Sequence, residues 1–204
     1  GLAAYLKDLY QSESQISVVI AYDSRKKSEE FARITAEVLS SQQIKTCLFS
    51  EITPTPVLSF AVRYLKANAG IVITASHNPK EYNGYKAYWS DGAQIIAPHD
   101  ENIIAEVEKV SVDQIKFTPN KELIQIIGED IDKIYLENVK TIFLSPDAIQ
   151  RNKDLKIVYT PIHGTGIKLI PRCLQEIGFE NVILVEEQTV VSGDFPTVVS
   201  PDNI

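Results

Sequence analysis

Short apolar runs alternate with segments of helical periodicity along this chain. Apolar and β-branched side chains follow one another at 16–22, 45–49 and 69–75, and polar or proline-containing segments bound each run. Between the runs, apolar residues recur at helical spacing over 28–38 and 57–64, as expected for helices that pack on one side. This alternation predicts an α/β protein whose strands are buried.

The segment that follows predicts a β-hairpin and a further helix. Apolar runs at 85–89 and 93–96 flank Ser90-Asp-Gly92, and an Asp-Gly pair tolerates the positive φ of a tight turn. We therefore expect two strands joined by this turn. Asp100 is expected to cap a helix that continues to 110.

A mixed, polar stretch at 111–122 is the best position for a domain boundary, so we expect one domain over 1–115 and a second over 116–204. The second part looks incomplete, with helices and strands expected in turn at 130–144, 156–160, 166–177 and 181–186. The chain has no methionine and stops after a loop-like stretch. We therefore expect it to be a piece of a longer protein.

Composition and charge narrow the classes of partner. The 204 residues are 44% hydrophobic and 23% charged, which is ordinary for a folded domain and excludes a disordered or collagen-like chain. The net charge of −7 gives no electrostatic reason to expect nucleic acid or a membrane as partner. Two distant cysteines, Cys47 and Cys173, cannot form a disulfide framework, and no N-glycosylation sequon is present. We expect a cytoplasmic location.

The segment with the clearest chemical character is 74–86, where a predicted buried strand runs out into a polar loop. Ligands of open α/β sheets bind beyond the carboxyl ends of strands, and Ser76 stands at that point. Its hydroxyl could accept a phosphoryl group, with His77 and Asn78 beside it as donors. Lys86 could point back and supply a positive charge for phosphate oxygens. A polar turn with a solvated lysine is the alternative, but this many polar residues at the end of one strand favour a functional site.

Three common nucleotide-binding and hydrolase motifs are absent from the sequence. It contains no G-x-x-x-x-G-K-[ST] phosphate loop, no G-x-G-x-x-G fingerprint and no G-x-S-x-G elbow. His77 and His163 have no neighbours at a spacing that indicates a metal site.

Thr74-Ala-Ser-His-Asn-Pro79 together with Asn83-Gly-Tyr-Lys86 resembles the active-site serine loop of the α-D-phosphohexomutase superfamily, which includes phosphoglucomutases and phosphomannomutases. The segment 85–100 looks most like the branch that holds phosphoglucomutase-2 and phosphopentomutase. Further segments fall in family order, namely Tyr22-Asp-Ser-Arg25, Thr53-Pro-Thr-Pro56, His163-Gly-Thr-Gly166 and Gly193-Asp-Phe-Pro196.

The resemblance implies a mixed-sheet α/β/α domain I, part of a similar domain II, and a phosphoserine at position 76. That phosphoserine would donate to a sugar monophosphate and later recover the other phosphoryl group of the bisphosphate intermediate. The result is a shift between the 1- and 6-positions of glucose or mannose phosphate, or between positions 1 and 5 of a pentose. The implied cofactors are Mg²⁺, with a phosphate oxygen on Ser76 as one ligand, and a sugar 1,6-bisphosphate as activator.

The resemblance also assigns roles to individual residues. Lys86 would stabilise charge or assist proton movement, while His77 and Asn78 would hold the phosphoserine loop. Arg25 is a candidate partner of the phosphate region, and a surface ion pair with Glu29 or Glu30 explains it equally well. His163 lies between a strand and a helix, where backbone N–H groups can meet an anion, although a structural turn is the preferred interpretation.

The chain departs from the family pattern in two respects that matter for activity: the family's early arginine-bearing segment, before the first helix, is missing, and so is its metal-binding loop. The metal-binding loop of the family has the form Asp-Gly-Asp-x-Asp-Arg, and 130–132 lacks its third aspartate and its arginine. The domains for sugar recognition and for distal phosphate binding are likewise expected outside these residues, so the piece alone should be inactive. Phosphopentomutase, a sugar 1,6-bisphosphate synthase, and a non-catalytic sugar-phosphate binding protein remain as alternatives, and the oligomeric state stays open.

Overall fold

The computed structural model describes residues 1–12, 15–76, 78–115 and 117–199. Strands run over Ser17–Tyr22 (β1), Lys45–Phe49 (β2), Ala69–Ile73 (β3), Tyr85–Trp89 (β4), Ile124–Ile127 (β5), Lys156–Tyr159 (β6) and Asn181–Leu184 (β7). The helices are Leu2–Leu9 (α1), Ser28–Ser41 (α2), Thr55–Tyr64 (α3), His99–Glu108 (α4), Glu129–Lys140 (α5), Pro146–Arg151 (α6), Gly166–Glu176 (α7) and Glu186–Thr189 (α8). Two short 3₁₀ turns, Val112–Gln114 and Lys121–Leu123, precede β5.

The first five strands form one mixed sheet in the order β4-β3-β1-β2-β5. All neighbouring pairs are parallel except β3 and β4, which are antiparallel. β5 follows the polar stretch expected to separate two domains, yet it extends this first sheet beside β2. The remaining strands, β6 and β7, pair in parallel as a separate two-stranded sheet.

Alternating side chains of the central strands enter two separate cores. Val19 and Ala21 of β1 pack with apolar residues of α3 and α5, whereas Val18 and Ile20 pack with α1 and α2 on the opposite face. Burial on both faces explains why these strands are continuous apolar runs rather than alternating ones. The predicted mixed-sheet α/β/α architecture is confirmed.

The predicted hairpin forms only in part. β4 ends at Trp89 as expected, and Gly92 adopts a φ of +81° in the turn. The expected second strand at 93–96 is wrong, because its contact with β4 is limited to an isolated bridge between Tyr88 and Gln94. The chain leaves the sheet at once, since the carbonyl of Ile96 already accepts from the backbone at the start of α4.

Residues 141–199, which carry β6 and β7 and are called the second unit below, pack through α7 on α5 of the first unit. Leu169 on α7 enters the same core as the α3 side of the main sheet. Beside it, Lys168 lies 2.9 Å from both the Asp132 and the Glu51 carboxylates. Burial alone would lower the pKa of Lys168, but hydrogen bonds to Asp132 and Glu51 outweigh it and raise that pKa. These contacts bring the start of α7 to the edge of the sheet where β1–β3 end.

No helix in the described ranges combines the length and the apolar character that crossing a membrane requires. Cys47 and Cys173 are both free thiols, the first buried under α3 and the second partly buried on α7.

Candidate functional site

A polar cavity of about 370 Å³ opens at the carboxyl ends of β1 and β3. Its walls come from the loops after these strands on one side and from the start of α7 on the other. This is the edge at which parallel sheets bind ligands. The residues around it are Asp23, Ser24, Arg25, Thr53, Thr55, Val72, Thr74, Ser76, Pro161, Ile162, Gly164, Thr165, Gly166 and Phe195.

Ser76 stands just beyond the end of β3 in a conformation that few non-glycine residues adopt. Its φ is +55°, and its backbone N–H donates to Thr74 Oγ1 at 3.0 Å. Left-handed backbone costs an L-residue on the order of 1–2 kcal/mol, and such residues concentrate at functional sites. Gly84 closes the loop from behind, because a Cβ there would lie 2.8 Å from the Thr74 carbonyl oxygen. The turn therefore presents the Ser76 hydroxyl outwards.

The Lys86 ammonium donates a hydrogen bond to the Ser76 hydroxyl oxygen. The antiparallel pairing of β3 and β4 produces this contact, since it aligns Lys86 with Val72 near the end of β3. A hydroxyl that could carry a phosphoryl group thus has a positive charge directly against its oxygen. The sequence predicted both residues and the return of the lysine towards the serine.

Arg25 is buried, with only 4% of its surface exposed, and its guanidinium binds the backbone of the serine loop. One terminal nitrogen donates to the carbonyls of Pro79 and Tyr82 at 2.9 and 3.0 Å. The other donates to the carbonyls of Ser76 and Asn78 at 2.9 and 2.6 Å. Arg25 therefore supports this loop, and its predicted role as a partner of the phosphate stays a prediction.

The alternative role for Arg25, a surface ion pair with Glu29 or Glu30, is wrong. The guanidinium points away from solvent, and its carboxylate partner is Asp23, with Nε 3.4 Å from the Asp23 oxygen. Glu30 instead pairs with Lys27.

Three polar residues to which the sequence analysis assigned no role hold the two loops together. Asp23 Oδ1 accepts from the backbone N–H of Arg25 at 3.0 Å and from the Ser28 hydroxyl at 2.7 Å. Asn83 donates to the same Ser28 hydroxyl at 2.9 Å. One signal in the sequence was the Asp-Ser-Arg spacing, because an aspartate often binds the backbone two residues on, and another was the place of Asn83 in the serine-loop motif.

The other sequence-predicted residues occupy different positions. His77 lies outside the described residues. Asn78 contributes its carbonyl to Arg25, and its own N–H donates to the Ala75 carbonyl at 3.0 Å. His163 is fully buried, and its ring nitrogens lie 2.8 Å from the Val190 carbonyl and 2.9 Å from Thr197 Oγ1. The backbone beside His163 borders the cavity, while the ring binds the interior of the second unit.

Tyr22, at the end of β1, titrates far from its ordinary range. Burial, together with the carboxylates of Glu29 and Glu51, raises its pKa to about 12. Like an ordinary tyrosine, this phenol is neutral at physiological pH, and the raised pKa keeps it neutral at more alkaline pH as well.

The described residues contain no cluster of three His, Cys, Asp or Glu side chains that could hold a metal ion. Magnesium prefers six oxygen ligands in octahedral geometry. A phosphate on Ser76 would supply one such oxygen, and the side chains present do not complete the set. The described residues by themselves therefore do not fit a magnesium site.

Comparison with known proteins agrees with this arrangement. The family description "Phosphoglucomutase/phosphomannomutase, alpha/beta/alpha domain I" matches residues 1–114, and the corresponding description of domain II matches residues 133–203. A crystal structure assigned to a phosphomannomutase from Thermus thermophilus superposes with a TM-score of 0.79 at 26% identity. The superposition covers 97% of this chain and 43% of that one.

Curated relatives carry mutase names and one synthase name. Phosphoglucomutase of Staphylococcus haemolyticus is 42% identical over 98% of this chain. Glucose 1,6-bisphosphate synthase of Mus musculus is 38% identical and phosphopentomutase of Homo sapiens 35% identical, each over 99% of it. The chain spans about a third of the length of these relatives. With domain I matched over more than half of its residues and domain II over most of the rest, the chain belongs to the phosphoglucomutase/phosphomannomutase family.

Proposed function

We propose that the protein containing this chain is a phosphosugar mutase that carries a phosphoryl group on Ser76. The observation that supports it best is the contact of the Lys86 ammonium with the Ser76 hydroxyl at the mouth of a polar cavity. The preferred reaction is the interconversion of a sugar 1-phosphate and a sugar 6-phosphate, of glucose or mannose.

The proposed cycle begins with a phosphoryl group on Ser76. A sugar hydroxyl oxygen attacks the phosphorus, the bond from phosphorus to Ser76 Oγ breaks, and the sugar hydroxyl releases its proton. The net exchange is one phosphoryl group to the sugar oxygen and one proton to Ser76 Oγ. Ser76 Oγ recovers a proton, and Lys86 is placed to neutralise or protonate this oxygen as the bond breaks. The sugar bisphosphate then turns around, and its other phosphoryl group returns to Ser76.

Arg25, Asn78, His77 and His163 have supporting roles in this proposal. Arg25 holds the loop through four carbonyls, and Asn78 supplies one of them. We keep His77 as a donor beside the phosphoserine and His163 as a support for the turn that borders the cavity. Phosphoryl transfer depends chiefly on such positioning and on charge neutralisation.

Mg²⁺ remains part of the proposal for the whole protein only. A phosphate oxygen on Ser76 would be one ligand, and the other ligands would come from outside these residues. A sugar 1,6-bisphosphate is the compound that we expect to load Ser76. We further propose a phosphosugar as the ligand, no nucleic-acid or membrane partner, and a cytoplasmic location, in agreement with the two free cysteines.

Phosphopeptide mass spectrometry on the full-length protein tests the central claim. After incubation with Mg²⁺ and glucose 1,6-bisphosphate, we expect a phosphoryl group on Ser76 and its loss when a sugar monophosphate is added. Ser90, an exposed serine in the turn after β4, is the internal control and should stay unmodified. An unmodified Ser76 in a folded protein would instead support a non-catalytic sugar-phosphate binding protein.

Replacing Lys86 by alanine should lower kcat by about 100-fold, because charge stabilisation and proton transfer at the reacting oxygen contribute effects of this size. The variant should still accept some phosphoryl group on Ser76 and should keep its fold, since Lys86 is only partly buried. Steady-state kinetics measures the fall in kcat, and circular dichroism tests whether the fold is kept. Lys80→Ala, a change of the same kind on the exposed part of the loop, should leave kcat nearly unchanged, and an equal fall in both variants would argue against the assigned role.

Two relatives' names supply the second candidate functions. The phosphopentomutase of Homo sapiens and the glucose 1,6-bisphosphate synthase of Mus musculus match this chain over nearly its whole length. A pentomutase would turn over ribose 1-phosphate in preference to glucose 1-phosphate. A synthase would accumulate the bisphosphate in the presence of a separate phosphoryl donor.

A further inference from the structure

A loop of the second unit, residues 193–195, packs directly on the turn that carries Arg25. A Cβ on Gly193 would lie 2.6 Å from the Lys26 backbone nitrogen and 2.9 Å from the Ser24 carbonyl oxygen. Only glycine permits this approach of two backbones. Next to it, Asp194 lies 2.5 Å from the Lys26 ammonium, whose hydrogen bond lowers the pKa of the Asp194 carboxyl.

Phe195 extends this contact to the Arg25 side chain. It is 7% exposed, adopts a φ of +48°, and places its ring centroid 5.7 Å from Arg25 Cζ. A guanidinium within about 6 Å of an aromatic centroid is attracted by the ring, and the attraction grows when both groups are shielded from water. The ring therefore limits the positions that the Arg25 guanidinium can take.

His163 also contacts Phe195. The two rings meet edge to face with centroids 6.5 Å apart. The imidazole bridges the Val190 carbonyl and Thr197 Oγ1, on either side of the 193–195 loop in the chain, and the His163 carbonyl accepts from Ser192 N at 3.3 Å. A buried histidine with both nitrogens bonded is a rigid support. The loop that contacts the first unit is thus also fixed by contacts within its own unit.

From this chain of contacts we infer that Phe195 is a positioning residue for the serine loop. It fixes Arg25, Arg25 holds the carbonyls of Ser76, Asn78, Pro79 and Tyr82, and these fix the Ser76 hydroxyl against Lys86. The inference rests on the proposed function where its effect is read as phosphoryl transfer. It assigns to a residue of the second unit control over the geometry of a nucleophile in the first.

Phe195→Leu in the full-length protein tests the inference. The leucine keeps an apolar side chain and loses the aromatic face. We expect kcat to fall about tenfold with KM unchanged. The free energy of attraction between a shielded cation and a ring corresponds to a change in rate of about this size. Hydrogen exchange of the backbone amides of 76–84 should become faster. Phe195→Tyr keeps the aromatic face and should restore both, and Phe195→Met serves as the volume-conserving variant if Phe195→Leu fails to fold.

Two comparisons separate positioning from packing. Phe60→Leu removes another partly buried ring, packed on Tyr135 at 5.4 Å and away from the serine loop, and should change neither kcat nor exchange in 76–84. In an Arg25→Gln background, which leaves no cation over the ring, Phe195→Leu should have no further effect, because the Arg25 guanidinium carries the coupling. Equal effects in both backgrounds, or the same effects from Phe60→Leu, would overturn the inference. The exchange measurement decides it even if Ser76 of the unmodified protein accepts no phosphoryl group, a result that counts against the proposed function alone.

Discussion

Replacing Ser76 by alanine is expected to abolish turnover of sugar monophosphate by the full-length protein. The proposed cycle passes through a covalent bond to Ser76 Oγ in both half-reactions, so no alternative oxygen can replace it. Removal of a nucleophile of this kind lowers kcat by about 10⁴-fold or more. A coupled assay with glucose 1-phosphate and glucose 1,6-bisphosphate measures the loss.

The same variant should keep the stability of the parent protein. The Ser76 side chain is exposed, and substitutions at exposed positions usually change the free energy of unfolding by less than about 0.5 kcal/mol. Ser90→Ala, on an exposed turn at the end of β4, is the matched control and should retain full activity. Turnover of Ser76→Ala within a few fold of the parent would remove Ser76 from the mechanism.

The strands of the main sheet were largely predictable from the sequence. β2 and β4 begin and end at the predicted residues, because each is an apolar run bounded by polar residues or a turn. The place of β5 was not predictable. Ile124–Ile127 is a short segment, and only its contact with β2 in three dimensions assigns it to the first sheet. Periodicity reports which face of an element is buried and carries no information on its neighbours.

In the candidate site, too, some contacts were predictable from the sequence and others were not. The pairing of Ser76 with Lys86 follows from local structure, since a strand, a loop and a returning strand bring them together within a short stretch of chain. The hydrogen-bond partners of Arg25 depend on tertiary structure, because a sequence does not indicate which backbone carbonyls a distant arginine will bind. The contact of Phe195 with Arg25 was even less predictable from the sequence, since it requires the second unit to pack on the first.

Arg25→Lys is expected to weaken both the fold and the reaction. Lysine keeps the positive charge, but its single ammonium cannot span two pairs of carbonyls that one planar guanidinium reaches. Hydrogen bonds to a charged group contribute about 1.5–3 kcal/mol each, and lysine can replace some of them, so we expect a loss of about 2–4 kcal/mol in the free energy of unfolding. Urea denaturation of the full-length protein measures it.

The catalytic effect of Arg25→Lys should exceed what reduced stability explains. A loop that no longer holds the Ser76 carbonyl lets the hydroxyl move from Lys86, and a displacement of about 1 Å can cost on the order of 100-fold in rate. We therefore expect kcat to fall about 100-fold under conditions in which the variant is fully folded. Arg33→Lys, at an exposed ion pair with Glu37 on α2, is the control and should leave both kcat and stability nearly unchanged. A folded Arg25→Lys protein with the kcat of the parent would show that the Ser76 loop keeps its geometry without this guanidinium.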